Sequence, residues 1–425
     1  MSLEKNFCSS PWLHMRINHN GDYEYCRWAN RTSIPIKNLR TTSPIEWFQQ
    51  DISNIRKTML DGQVIEGCSS CHQMEQHQKV SGRQKQLLKV GVRLETFVPS
   101  MKSSPWLDAF AASQQTGTTD LMPQDWQIDL GNYCNSACLF CSPKSSSRIA
   151  VEHKRLGLIQ QMPPSAWCDN PVLLQKFLDV LQSSPRLRYL HFIGGETLIT
   201  PAFKKILTAL VQANLHQTVS IGFTVNLTVW DQSIVDLLTQ FKEVNLGMSI
   251  ECIHPVNDYV RYGGQLLQTQ KILDQWIDVG NKHQWLMSIR TTPTVLSVLH
   301  LDTIYKYAWD RRLSVESCNF LNNPAFMRPG VLPIKFRQLA IDKLSHFAQK
   351  VDNDYQIVNT RDSNNYQLHL IQDATSYINY LTNADDESYR LPDLVTYLKR
   401  TEAVRNNCVL DYLPEYEELF RTAGY

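Results

Sequence analysis

The sequence predicts an α/β fold built on parallel strands, preceded by a cysteine-spaced N-terminal module and followed by a helical C-terminal segment. Three observations carry this. From Trp126 onwards short apolar runs alternate with longer helical patterns, and strands alternating with helices make a parallel sheet, open or closed into a barrel. Before that point cysteines and turn residues set the texture. After about residue 330 the pattern is mainly helical.

Taken in order, residues 1 to about 95 contain Asn18-His19-Asn20-Gly21-Asp22, a hairpin signal between two short apolar runs. Helical periodicity follows over Ile45 to Leu60. Residues 96–121, with Pro99, Ser103, Ser104, Pro105 and the polar stretch from Gln114, read as a linker. The strand candidates are then Trp126 to Leu130, Leu187 to Ile193, Val219 to Thr224, Glu243 to Ile250 and Trp285 to Thr291. Pro171 to Gln182 and Phe203 to Ala213 are the helical candidates between them, and Lys335 to Val351 and Asp393 to Asn406 those of the C-terminal segment. In parallel folds of this kind ligands sit at the C-terminal ends of the strands.

Composition narrows the function. Of 425 residues, 43% are apolar and 20% charged, and 42 Lys+Arg nearly balance 41 Asp+Glu. That balance removes the electrostatic case for a generic nucleic-acid or anionic-membrane binder. The start, MSLEKNFCSS, has no apolar core of signal-peptide length, and no apolar run reaches the roughly 18 residues that span a bilayer. A cytoplasmic protein is expected, in which eleven cysteines read as metal ligands or catalytic thiols and not as a disulfide framework. No His-Glu-x2-His, Gly-x-Ser-x-Gly or Gly-x4-Gly-Lys motif offers another chemistry.

Two cysteine sets carry the functional signal. Cys134, Cys138 and Cys141, spaced x3 and x2, follow the first run. Three thiolates there can reach three irons of one cubane and leave the fourth open, as a catalytic metal site requires. Phe140, beside the last cysteine, is placed to cover that corner. Incidental thiols or half a zinc site are the plain alternatives. The second set, Cys8, Cys26, Cys68 and Cys71, is spaced x17, x41 and x2. Four ligands suit a tetrahedral zinc or a fully ligated 4Fe–4S cubane, and spacing does not choose between them. Read alone, Cys68-x2-Cys71-His72 also fits haem attachment or thiol redox chemistry. Haem belongs to an exported setting and would leave Cys8 and Cys26 unused, so His72 is read as incidental. Independently, Gly194 and Gly195 end the second run in His191-Phe192-Ile193-Gly194-Gly195-Glu196-Thr197-Leu198. Absent side chains let backbone approach a ligand closely.

The Cys134/Cys138/Cys141 spacing on the loop after the first strand resembles the radical S-adenosylmethionine (radical SAM) superfamily. The resemblance implies a partial (β/α)6 TIM-like barrel over residues 122–330, and a 4Fe–4S cluster whose open iron binds S-adenosylmethionine. Reductive cleavage then gives a 5′-deoxyadenosyl radical that abstracts a substrate hydrogen. It further implies a flavodoxin-type or ferredoxin-type electron donor. Gly194, Gly195 and Glu196 match the family's GGE segment, which contacts the SAM methionine amine; Thr197 stands where the family often has proline. Asn226, Ser249 and Glu251 occupy places of polar SAM contacts, and Arg261 that of a carboxylate partner. For these four, a solvated or structural polar residue is the plain alternative.

Residues 1–95 resemble the Twitch domain, a shortened relative of SPASM, through Cys8-Ser9-Ser10-Pro11-Trp12, the Gly21 hairpin into Tyr25-Cys26, Trp47, Arg56 and Cys68-x2-Cys71. That resemblance implies an auxiliary 4Fe–4S cluster, with zinc as the alternative. It extends to Leu321–Pro333 and Tyr412-Leu413-Pro414-Glu415-Tyr416, and residues 331–425 form the C-terminal helical segment. The implied function is modification of a peptide, by crosslinking, oxidation or epimerisation, in ribosomal peptide maturation. A sugar, nucleoside or amino acid as substrate in natural-product biosynthesis is the alternative, and a zinc-stapled binding protein is the non-enzyme alternative. Cys168, Cys252, Cys318 and Cys408 belong to neither set. Cys252, after the fourth run, is the candidate hydrogen-atom donor at the barrel mouth, against a buried inert thiol.

Overall fold

All five predicted strands form, with ends shifted by a residue or two. In chain order the strands are β1 (His14–Ile17), β2 (Tyr23–Glu24), β3 (Val92–Arg93), β4 (Val98–Pro99), β5 (Asp125–Asp129), β6 (Ala137–Cys138), β7 (Tyr189–Ile193), β8 (Ser220–Val225), β9 (Val244–Ser249), β10 (Arg261–Tyr262), β11 (Leu286–Arg290) and β12 (Ser314–Glu316). A computed structural model describes residues 6–27, 29, 36–76, 81–93, 98–99, 105–317, 320–357 and 366–425. Cys318 lies outside the described residues. The fold is mixed α/β with mostly parallel strands.

The chain divides into two units. One comprises Met1–Gly131, Pro164–Gly222 and Ser233–Val244; the other Asn132–Pro163, Phe223–Gln232 and Asn245–Tyr425. The expected boundaries at residues 95, 121 and 330 do not coincide with this division.

In the first unit β1, β5 and β7 run parallel in adjacent register, Met15 opposite Trp126 and Trp126 opposite Leu190, and β7 continues in parallel to the start of β8. The predicted hairpin is present: β2 returns antiparallel to β1. Gly21 takes φ +87° there, a left-handed conformation open to glycine without steric cost. The sequence did not reveal that β1 joins β5, since a four-residue run is too short to declare its partner. Nor was the stretch expected as a linker without structure. Pro105–Ser113 is a helix, with the Trp12 indole donating to Ser113 Oγ at 2.6 Å and the Phe7, Trp12 and Phe110 rings in mutual contact. Pro171–Gln182 starts where Asn170 accepts the Val172 and Leu173 amides, and buries Leu173, Leu174, Phe177 and Leu181 at helical spacing.

In the second unit β9, β11 and β12 are parallel, with Ser249 opposite Arg290 and Arg290 opposite Glu316. The three residues of β12 were not among the predicted runs. Leu246, Met248, Ile289 and Val315 are buried on one face; the alternation of strands puts Gly247, Ser249, Ser288, Arg290 and Glu316 on the other. Parallel strands buried on both faces read as continuous apolar runs, so this face is one a polar ligand can meet. Leu266–Lys282 packs over β11 where Gly280 lacks a side chain; a Cβ there would lie 2.0 Å from Met287 Sδ. The C-terminal segment is helical as expected: Ile334–Ile357, Leu391–Arg405 and also Tyr366–Asn383, which the sequence reading missed. Among the described residues no helix is long and apolar enough to cross a membrane.

Candidate active site

The backbone of the loop bearing Cys134, Cys138 and Cys141 is hydrogen-bonded from both sides. β6, which contains Cys138, pairs antiparallel with β10, setting Arg261 opposite Cys138 and Tyr262 opposite Ala137. On the other side Ser147 Oγ meets the Cys134 amide at 3.1 Å and its carbonyl at 3.2 Å. Ser146 Oγ caps the helix Ser147–Arg155 and donates to the Ser136 carbonyl at 2.7 Å. The Cys141 amide closes a turn onto the Cys138 carbonyl at 2.9 Å. The three thiols thus share one rigid loop, with Cys138 buried and Cys134 and Cys141 half-buried.

Burial pushes the Cys138 thiol up to about 11 and the Cys141 thiol up to about 12, and the neighbouring thiols add to both shifts. Three thiolates this close repel one another in a poorly solvated place, so their anionic forms need a cation. Arg261 supplies part of it: burial works against its charge, but Cys138 and Glu251 hold it protonated.

Asn226, just past β8, donates from Nδ2 to Asn135 Oδ1 at 2.8 Å and to Ser136 Oγ at 3.2 Å, and lies 4.0 Å from Cys134 Sγ. Its Oδ1 accepts Thr228. Asn226 is therefore a clip on the cysteine loop as well as a residue at a strand end. Glu251 departs from expectation as a ligand contact. It is buried, with Oε1 accepting from Arg261 Nη1 at 2.8 Å and Oε2 from Thr291 Oγ1 at 2.9 Å and the Thr292 amide at 2.7 Å. One oxygen is used on Arg261 and the other on Thr291 and Thr292, so both are satisfied within the protein. Ser249 is half-buried at the end of β9, and Phe140 half-buried in the cysteine loop.

Cys252 also departs from expectation. It has no exposed surface, its Sγ sits 3.9 Å from the His254 carbonyl, and burial raises its thiol well above the ordinary range.

The glycine pair belongs to the first unit. The Gly195 amide donates to the Gly131 carbonyl at 2.7 Å, and a Cβ on Gly194 would lie 2.8 Å from that same oxygen. Close backbone approach is thus what demands glycine here. Glu196 is buried and its Oε1 accepts the Leu198 amide at 3.1 Å, capping the turn Thr197–Ile199.

The four N-terminal cysteines are all found at one place in the first unit. Cys8, Cys26, Cys68 and Cys71 line one cavity in the first unit, together with Tyr25, Met59 and Arg83. Burial pushes Cys68 up to about 11, and Cys8 is raised by burial and by Cys71. Tyr25 Oη lies 3.8 Å from Cys68 Sγ. Among the described residues no three His, Cys, Asp or Glu side chains gather tightly enough to hold a single metal ion.

Two buried arginines support these elements. Arg56 was noticed only as part of a pattern; it is fully buried, donating to the Pro11 carbonyl at 2.9 Å, to Gly117 at 3.1 Å, to Gln49 at 3.3 Å and to Phe48. Arg405 lies 268 residues from the carbonyl it binds. Its only signal was a charged residue on the buried stripe of its helix.

No protein-family model matches the chain, and no curated protein does. Among solved structures it is similar to anSMEcpe with bound AdoMet, at 16% identity and a TM-score of 0.40 over 55% of this chain and 62% of that one. It is similar to SuiB of Streptococcus suis bound to precursor peptide SuiA, at 12% and 0.38 over 84% of this chain and 70% of that one. It is similar also to the radical S-adenosylmethionine methyltransferase TsrM of Kitasatospora setae, at 14% and 0.32 over 46% and 35%. The first match spans less than two thirds of the anSMEcpe chain.

Proposed function

We propose that this chain is a radical SAM enzyme with an auxiliary iron–sulfur cluster, acting on a peptide. The observation that carries the reading is the second unit's loop: three thiols on one rigid turn, with Arg261 in register with the middle one and Asn226 clipped to its base. When bound, a 4Fe–4S cluster with SAM at its open iron supplies one-electron cleavage of SAM to methionine and a 5′-deoxyadenosyl radical, which abstracts hydrogen from substrate.

The chain's own residues do the rest. Cys134, Cys138 and Cys141 are the ligands, and Arg261, held by Glu251, offsets their charge. Phe140, half-buried beside Cys141, is placed to cover the open corner of the cluster. The resemblance assigns the Gly194–Gly195 backbone to the SAM methionine amine and Ser249 to a polar SAM contact. Arg290 and Glu316, on the polar face of β11 and β12, meet a polar substrate; Arg290 Nη1 is steadied by Thr224 Oγ1 at 3.3 Å and Glu316 by Ser288 Oγ at 2.9 Å. Cys8, Cys26, Cys68 and Cys71 hold the auxiliary cluster, with no iron left open for substrate, so it relays an electron or staples the module. An electron acceptor of that kind favours net oxidation of a peptide, such as a crosslink. The peptide itself rests on the Twitch-like pattern of residues 1–95, and an external flavodoxin or ferredoxin is the proposed electron source.

Anaerobic reconstitution tests the reading. About eight irons per chain, and 5′-deoxyadenosine formed from SAM under reduction, are expected. A colourless zinc protein that leaves SAM intact would overturn it in favour of a stapled binding protein. About four irons would remove the auxiliary cluster alone, and turnover of a small molecule but of no peptide would replace the substrate.

A further inference from the structure

We propose that the C-terminal helix Leu391–Arg405 clamps the cysteine loop, and that Arg405 is a positioning residue whose charge also sets the reduction potential of a cluster bound there. The second half rests on the radical SAM reading; the first does not.

A helix packed against a fold ordinarily buries apolar side chains. This one buries Leu391, Leu394, Val395 and Leu398, but also Tyr397, Thr401 and Arg405, each four residues after the last. Two of these polar groups reach the loop. Tyr397 Oη donates to the Leu139 carbonyl at 3.2 Å and Arg405 Nη2 to the Ala137 carbonyl at 2.8 Å. Those carbonyls flank Cys138 on either side, so the helix grips the central thiol's own backbone.

Arg405 is 6% exposed. Its charge is met by Glu152, which accepts from Nε and Nη2 at 2.8 Å each, the two-pronged geometry a guanidinium makes with a carboxylate. Glu152 stands on the helix Ser147–Arg155, whose capping residue Ser146 holds the Ser136 carbonyl. The ion pair therefore closes a ring: cysteine loop, following helix, C-terminal helix, loop again. The guanidinium also lies 4.7 Å from the ring of Tyr262, the strand partner of Ala137. Nη1 is buried without a hydrogen-bond partner. A buried ion pair is a poor way to gain stability alone, since apolar residues of similar size serve as well. A fork that spends one arm on the loop and keeps a donor unused fits the placing of an anionic group. Cluster potentials follow local charge and hydrogen bonding, so a fixed cation beside Cys138 favours the more negative, reduced form.

Two variants separate these statements. In Arg405→Gln the Ala137 contact is weakened and Glu152 is left charged; in Arg405→Gln with Glu152→Gln the buried pair is removed whole, which guards against misfolding. Hydrogen exchange on the metal-free protein is expected to speed up about tenfold at Leu139 and Cys141 in both, as one lost hydrogen bond allows, with helix Leu266–Lys282 unchanged. In reconstituted Arg405→Gln, where the cation alone is removed, the SAM-responsive EPR signal is expected to titrate lower by roughly 59 mV, tenfold in a one-electron equilibrium. Arg405→Lys, keeping the charge without the fork, should restore the potential but not the exchange protection. Unchanged loop exchange in both variants overturns the clamp. An unchanged potential overturns the tuning. Wild-type protein that takes up no iron defeats the enzyme reading together with the tuning, and the exchange result still decides the clamp.

Discussion

The two cysteine sets are assembled by opposite means. Cys134, Cys138 and Cys141 lie within eight residues, and the backbone ladder of a two-strand ribbon and the short Ser146 and Ser147 hydroxyls of the next helix fix them. Cys8, Cys26, Cys68 and Cys71 come from three separated stretches, and long polar side chains hold those stretches. Arg56 ties the Pro11 carbonyl to Phe48, Gln49 and Gly117, and Arg83 ties the Phe7 carbonyl to Glu75. A local site is written in spacing and survives loss of a ligand. A dispersed one depends on its staples and on whatever binds at its centre.

The largest test of that contrast exchanges ligands. Cys138→Ala should abolish 5′-deoxyadenosine formation while the protein keeps about four irons, and its melting temperature should barely move. Cys68→Ala with Cys71→Ala should also leave about four irons, but SAM cleavage without substrate should persist and the melting temperature should fall, since bound metal stabilises the site that binds it. Equal melting behaviour of the two variants would break the comparison.

Arg56→Met reaches the dispersed site without touching a thiol. The change leaves several buried carbonyls without donors, each costing about 1–3 kcal/mol, and an overall loss on the order of 3 kcal/mol is expected by denaturant titration. Iron uptake by the N-terminal set should fall with it, whereas SAM cleavage should be spared. Full stability in this variant would show that Arg56 packs by its stem alone.

How much of this was legible follows the same divide. The cysteine loop could be read because spacing, a preceding strand and a glycine pair all sit in local sequence. β5, β7, β8, β9 and β11 could be read because each apolar run is bounded by turns and separated by a helical pattern. β1 and β12 could not, since four and three residues carry too little periodicity to announce a partner. Glu251 and Arg261 were identified as site residues, but their bond to each other, across a turn, was not visible in spacing. Arg405 was hidden by distance: its partner carbonyl is 268 residues away, and no local rule connects an arginine at a helix end to a thiol loop.

Histidines give each unit an acid limb. In the first, burial and then the Arg27, Lys89 and Arg16 charges push His14 down to about 3, and its Nε2 is buried without a partner. In the second, His254 and His300 stack with ring centroids 3.7 Å apart, and burial lowers both. A histidine whose pKa is depressed on folding stabilises fully above its unfolded value, near 6.5, and loses that contribution as pH falls through 6.5 towards the folded value. Thermal unfolding should therefore weaken below about pH 6.5. His14→Phe should flatten the limb that reaches down to about pH 3, and His300→Phe, which keeps the stack, should remove only part of the rest. An unaltered acid profile in His14→Phe would place the sensitivity elsewhere.

The smallest effect belongs to Cys252, a buried thiol like Cys8 but outside both sets. Cys8 lines a cavity with three other cysteines, and its raised thiol has Cys71 beside it as one cause. Cys252 has Glu251 next in sequence as its nearest charge and a backbone carbonyl at 3.9 Å as its partner. A hydrogen-atom donor must reach its substrate, and a side chain without exposed surface does not. Cys252→Ala removes one sulfur from a packed site, so a stability loss of about 1 kcal/mol is expected, with SAM cleavage, substrate turnover and product unchanged. A switch in product from an epimerised to an unepimerised or reduced-yield form would show that the chain over Cys252 opens during turnover.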